Sequence, residues 1–220
     1  MLNLPEMSEY KKRIPKTKFH QNLPISNKAK QQFVDEIDTI IWQNKLSPET
    51  VGISAGTDVN EIEVIEIKLH QKGISRNLLG IMDEGIPYHI LFVLTFQDKA
   101  QVAISYKEKA GKRDDRYRVE DYYFSEWLDP DEFAIELKGL TMDTMYENLL
   151  RQFIPENRPQ LTDLAETVAL QKEIEKQTVK VSSLEKKVNA EKQFNVQVRL
   201  NQELRDEKAK LEELLSEERM

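Results

Sequence analysis

The sequence predicts an α+β fold: a small mixed sheet with packed helices, followed by a long C-terminal helix of coiled-coil type. Three observations carry this. Between Glu61 and Lys107, strand-like and helix-like segments alternate with turn signals between them. Within that stretch Tyr88–Phe96 (YHILFVLTF) is almost continuously apolar, as a strand buried on both faces is. From Leu161 to Met220 there is neither proline nor glycine, and charges of both signs alternate, which is long-helix composition. The expected organisation is a basic arm over residues 1–25, an α+β body over 26–155 and a long helix over 161–220.

The arm is polar and carries Pro5, Pro15 and Pro24, so an extended conformation is expected. Ser26 is placed to cap a helix over Lys28–Trp42, with Phe33, Val34, Ile37, Ile40 and Ile41 at helical spacing. A short strand is expected at Val51–Ile53, before the Gly52…Gly56 loop. That loop lacks the lysine and hydroxyl residue of a phosphate loop, so no nucleotide site is read there. Glu61–Leu69 alternates as a strand, Ile74–Asp83 is helical with Gly85 as its C-cap, and Gln97–Lys99 turns Tyr88–Phe96 into a strand over Ala100–Lys107. Gly111–Arg116 reads as a charged loop, and Tyr117–Phe124 and Phe133–Leu137 as two further strands. Thr141 caps a helix reaching Ile154, and Pro155 and Pro159 mark the end of the body.

In the last third, Leu170, Ile174, Val181, Leu184 and Val188 form a heptad seam, with Gln177 in the vacant place. Leu204, Leu211 and Leu215 continue it about one residue out of register. The slip falls in Gln193–Gln202, where Phe194 and Val198 occupy one side of the helix and Val196 and Leu200 the other. A helix apolar on two sides meets two partners, so Leu184, Val188, Phe194, Val198, Leu204, Leu211 and Leu215 are the expected oligomer or partner seam. The coil can form between chains or within one. The absence of hairpin-turn chemistry favours pairing between chains, hence a homo-oligomer.

Composition excludes several classes. There is no cysteine, so no disulfide, thiolate nucleophile or sulfur-bound zinc. No apolar run approaches the roughly 18–20 residues of a membrane span. The start has no secretory h-region, so a cytoplasmic protein without membrane contact is expected. The net charge of −7 conceals a division: residues 1–30 hold seven Lys/Arg against two Glu, while 31–160 hold 14 basic against 24 acidic residues. An acidic body repels a phosphate backbone, which leaves Lys11, Lys12, Arg13, Lys16 and Lys18 of the arm as the candidate nucleic-acid contacts. The alternative is that the arm straps the acidic body, anchored by Tyr10, Ile14 and Phe19.

One constellation could carry chemistry. Asp58, Glu66 and Lys68 form the minimal E-x-K pattern of divalent-metal restriction nucleases: two carboxylates hold Mg2+ while the lysine activates water. Amphipathic strands produce the same pattern commonly, and Asp58 is only eight residues upstream of Glu66. His20, His70 and His89 have no partner at ligand spacing, and His89 reads as a core or edge histidine. No metal site and no cofactor are assigned.

The segments IPYHILFVL with VAISYK, then EWL…ELKGLTMDTMYENLLRQ, then EKQFNVQVRLNQELR resemble a bacterial family known only as a domain of unknown function. The resemblance covers about Trp42 to Arg205. It implies a genomic setting beside SNF2-type helicases and type III restriction-modification methyltransferases, and transfers no site residue. The expected function is a non-catalytic accessory subunit of a DNA-defence assembly; a Mg2+-dependent nuclease and a DNA-binding module are the alternatives.

Overall fold

The computed structural model describes residues 2–111, 114–133, 135–155 and 158–216. The chain divides into two compact units, Met1–Phe153 and Ile154–Met220.

The first unit is built on one six-stranded sheet whose spatial order follows the chain: β1 (Glu9–Arg13), β2 (Ile37–Leu46), β3 (Ile62–Leu69), β4 (His89–Phe96), β5 (Lys99–Gly111) and β6 (Asp114–Phe124). Only β3 and β4 run parallel, joined through helix α4 (Arg76–Gly85); every other pairing is antiparallel. A parallel pair needs such a crossover, whereas the β4–β5 pair closes with the two-residue turn Gln97–Asp98, Gln97 taking a φ of 54°. The expectation for β4 holds: its residues from His89 to Leu94 are buried.

On one face of the sheet, Ile65, Ile67, Ile90, Phe92 and Leu94 pack with Leu78, Leu79 and Met82 of α4. Phe33 of α2 (Asn27–Glu36) and Phe19 of α1 (Thr17–Asn22) complete that cluster. Strand alternation turns Val64, Leu91, Val93, Val102 and Ile104, all buried, to the other face. Helix α5 (Met142–Arg151) is capped by Thr141, whose hydroxyl accepts from the Thr144 amide, and it buries Met142, Met145, Tyr146, Leu149 and Leu150.

Five local expectations are corrected. Helix α2 ends at Glu36 and Ile37–Trp42 is strand, because the β-branched run Ile37–Ile41 pairs with β3 along its length. The arm is ordered: a 3-10 turn at Glu6–Ser8, then β1, then α1. Val51 ends a short helix, α3 (Pro48–Val51), with Gly52 as its left-handed C-cap at φ 71°. In the expected strand Phe133–Leu137, the described residues are irregular. Gln152, the C-cap of α5, both accepts from the Glu136 amide (3.0 Å) and donates to its carbonyl (2.9 Å), so that backbone is satisfied by a side chain and not by the sheet. The predicted loop Gly111–Arg116 is overtaken by strand at both its ends, where Gly111 pairs with Asp114; Lys112 and Arg113 lie outside the described residues.

The second unit is helical, as expected, but divided. Helix α6 (Leu164–Ala190) and helix α7 (Phe194–Ser216) are separated at Glu191–Gln193 and pair antiparallel, as Gln177 with Glu207 and Val188 with Gln197 show.

Candidate functional site

Glu66 and Lys68 of the E-x-K pattern lie two residues apart on β3, and Asp58 precedes the strand. Glu66 lies mid-strand between Ile41 of β2 and Val93 of β4, where it is buried. The Gln43 amide donates to one of its oxygens and the Thr95 hydroxyl to the other (3.3 Å). Lys68 is exposed one residue from the strand's end. Asp58 stands before the start of β3, its carbonyl accepting from the Tyr117 hydroxyl. Among the described residues no three His, Asp or Glu side chains are grouped to hold a metal ion.

The loop holding Asp58 has a different task. Its amides at Thr57 (2.6 Å), Asp58 (3.0 Å) and Val59 (2.7 Å) all donate to the Asp143 carboxylate at the start of α5. Burial pushes the Asp143 carboxyl up, but the three amides outweigh it and hold the group below its usual value. A Cβ on Gly56 would stand 2.4 Å from Asp143 Oδ1, so only glycine lets the loop close there. The Thr57–Val59 segment that follows Gly56 is thus an anion cradle, and the chain supplies the anion.

The five basic residues of the arm are largely committed to local contacts. Lys11 pairs with Glu9, the Lys12 ammonium lies 4.2 Å from the Tyr10 ring centroid, and the Lys16 ammonium donates to the Ile37 carbonyl. Arg13 pairs with Ile41 through its backbone, and the Ile14 amide donates to the Ile40 carbonyl (2.9 Å). Arg13 and Lys18 are exposed. Tyr10 packs on Trp42 (4.1 Å) and Phe19 stacks on Phe33 (5.7 Å), so the expected anchors do anchor.

Sequence reasoning missed the buried ionic centre. Lys107 Nζ lies 2.7 Å from Asp83 Oδ1, with the side chains 2% and 0% exposed. The lysine also donates to the Tyr88 carbonyl (2.6 Å), and the Tyr122 hydroxyl donates to Asp83. Burial lowers Lys107 and raises Tyr122; the Asp83 carboxylate offsets the first shift and adds to the second. His89 is buried edge-on against Tyr146 (4.3 Å) and Tyr117 (4.9 Å). Desolvation, and then the Lys107 charge, take it down to about 3, so it is neutral and part of the packing. No motif announces this centre; the one available signal was Asp83 on the apolar side of a predicted helix.

In the helical unit the α6 seam is as expected: Leu170, Ile174, Val181, Leu184 and Val188 are buried. On α7 the half-buried Gln197, Leu200, Leu204, Leu211 and Leu214, with Glu207 buried at 6% exposure between them, form a heptad of their own, and Val196 is half-buried beside it. Leu184, Val188, Leu204 and Leu211 therefore serve the hairpin, while Phe194 (76%), Val198 (52%) and Leu215 remain exposed. The polar seam place Gln177 meets the polar seam place Glu207: Gln177 Nε2 donates to its carboxylate (2.7 Å) and to its carbonyl (2.8 Å). Lys180 (2.9 Å) and Lys210 (2.8 Å) complete the layer. These bonds, from Lys180 first, then Lys210 and Gln177, draw Glu207 down to about 2.

The fold defines the class: a mixed-sheet α+β domain accompanied by a helical hairpin. The chain belongs to the family described as a domain of unknown function (DUF4391), whose model matches residues 2–211 and so takes in both units. No curated protein and no solved structure matches the chain. Among the described residues no helix is long and apolar enough to cross a membrane.

Proposed function

We propose that the protein is a non-catalytic interaction subunit of a bacterial DNA-defence assembly, docking on a helicase or methyltransferase subunit through the helical hairpin. The observation that carries this is the apolar pair Phe194 and Val198, left exposed on α7 after the hairpin has closed its own seam. An unburied aromatic beside an unburied aliphatic on a rigid helix suits insertion into a groove on a partner. The E-x-K carboxylate supports the same reading, because Glu66 is engaged by Gln43 and Thr95 and Asp58 stands at the strand's far end. Self-association is not needed to hide Leu184, Val188, Leu204 and Leu211.

The test is co-expression with the neighbouring helicase or methyltransferase, followed by size-exclusion chromatography with light scattering. Co-elution is expected, and loss of it in Phe194→Glu/Val198→Glu with unchanged helicity. A homo-oligomer that the same double variant dissolves would replace the outside partner with a second copy of the chain. Mg2+- or Mn2+-dependent DNA cleavage abolished by Glu66→Ala and Lys68→Ala would overturn the accessory reading in favour of a nuclease.

A further inference from the structure

Glu63 is the exceptional acid of this sheet. It lies on β3 opposite Lys45 of β2, is 2% exposed, and neither of its carboxylate oxygens has a hydrogen-bond partner among the described residues. Buried polar groups without a partner are rare, and each marks strain or a missing ligand. The nearby donors are spent elsewhere. Lys45 pairs with Glu61, the Tyr88 hydroxyl is also turned to Glu61, and the Trp42 indole N–H, although near enough to Glu63 to draw its carboxyl down, donates to the Asn44 carbonyl (3.1 Å).

The acid lines a cavity of about 250 Å3. Its walls are apolar: Phe19 and Leu23 from the α1 region, Trp42 from β2, Ile65 from β3, and Ile86 and Tyr88 from the approach to β4. Lys18 lines it as well and is exposed, so a cation is available at the solvent side while the inner wall holds a carboxyl alone. Ligand pockets have this composition, mostly apolar and aromatic with a few polar groups that fix orientation, and they run upward from about 300 Å3. This cavity therefore suits a compact ligand.

We propose that this pocket binds a small aromatic amine, its ring held between Trp42, Phe19 and Tyr88 and its protonated nitrogen paired with the Glu63 carboxylate. An acid in an apolar cleft selects a cation because the bound charge supplies what water would have supplied, and aromatic faces favour the same sign. A carboxylate ligand would meet Glu63 and Glu61 together and is excluded by like charge. The groups around Glu63 are Glu61 just before β3 and Lys45 and Trp42 on β2, with Lys18 of α1 and Tyr88 before β4 lining the same cavity. Burial, then the Glu61 charge, raise Glu63 to about 7, with Trp42 and Lys45 offsetting this in part. The free acid is thus half protonated near neutrality, and capture of an ammonium ionises it and releases a proton.

The probe is 2-phenylethylamine, titrated calorimetrically into the full chain at pH 6 and pH 8, with 2-phenylethanol as its neutral counterpart. The amine is expected to bind more tightly at pH 8 and, near pH 7, to show a heat that depends on the buffer's ionisation enthalpy. The alcohol is expected to bind about 10- to 100-fold more weakly, the worth of a charge-assisted bond. Glu63→Gln should bind amine and alcohol alike. It should also unfold at a higher urea concentration than the parent at pH 8, because it removes an unpaired buried charge, and this shows that the variant is folded. Equal affinity of amine and alcohol for the parent chain, undiminished amine binding by Glu63→Gln, or no binding of the amine at millimolar concentration each overturns the proposal.

Discussion

Replacing Lys107 with methionine tests the centre of the first unit. The change nearly keeps the length of the side chain and removes the cation paired with Asp83, whose side chain is wholly buried. Breaking a buried ion pair from one side costs about 3–5 kcal/mol. The Tyr88 carbonyl loses its donor as well, at about 1–3 kcal/mol for an unsatisfied buried group. The damage is bounded, because Asp83 can take up a proton and go neutral, so the upper end of the range applies only at high pH. At about 2–4 °C per kcal/mol for a unit of this size, the ion-pair term by itself lowers the melting temperature of Lys107→Met by about 6–20 °C. Urea unfolding followed by tryptophan fluorescence reads the effect, since Trp42 and Trp127 both belong to the first unit. Adding Asp83→Leu should recover most of the loss, because two apolar side chains in place of an ion pair are neutral or better. Adding Tyr122→Phe recovers about 1 kcal/mol more by removing the hydroxyl that donated to Asp83. A double variant less stable than Lys107→Met alone would refute the assignment of the penalty to an uncompensated charge.

Two further outcomes follow from the same geometry. The Glu207 carboxyl falls from 4.5 to about 2 on folding, so its contribution to the hairpin is complete above pH 4.5 and is lost as the pH falls toward 2. Circular dichroism should show acid unfolding of the helices in that window, and Glu207→Gln should be flat there while less stable at pH 7. Deleting residues 1–18 removes β1 and the partners of Trp42 and Ile40, so thermal stability should drop while DNA affinity stays negligible in both forms. A steep salt dependence of DNA binding that the deletion abolishes would show that the arm's cations contact phosphates instead.

The burial of β4 was legible in its continuous apolar run, whereas the alternation of β3 foretold one polar face and the strand in fact buries both, Glu63 and Glu66 included. The segment Phe33–Trp42 was not legible, since Phe33, Val34, Ile37, Ile40 and Ile41 satisfy helical spacing although the chain passes from helix to strand at Glu36. Neither glycine nor proline marks that joint. It is held by the His70 amide donating to the Glu36 carbonyl (3.0 Å) and the Ser75 amide donating to the Glu36 carboxylate (2.7 Å), from residues distant in sequence. The fold-back of the last helix was hidden for a similar reason. Its turn is made by the Glu191 carboxylate, which accepts from the Lys192 and Gln193 amides at 2.8 Å each, so an acid does there what glycine does elsewhere. The register slip at Gln193–Gln202 was the visible trace of that turn. The Glu63 pocket was invisible in sequence because its walls come from four separated segments.

The position of β1 gives its charges a meaning that no ligand supplies. As the last strand on its side of the sheet, it offers unpaired amides and carbonyls to any passing β-segment, a standing invitation to open-ended growth. The strand is short, exposed along its whole length, and bulged between Glu9 and Lys12, where Lys11 takes a φ of 49°. Lys11, Lys12 and Arg13 then place like charge on any second copy that tries to align there. Residues that in the bare sequence resemble a grip for polyanions thereby work, at this margin of the sheet, against edge-to-edge strand pairing.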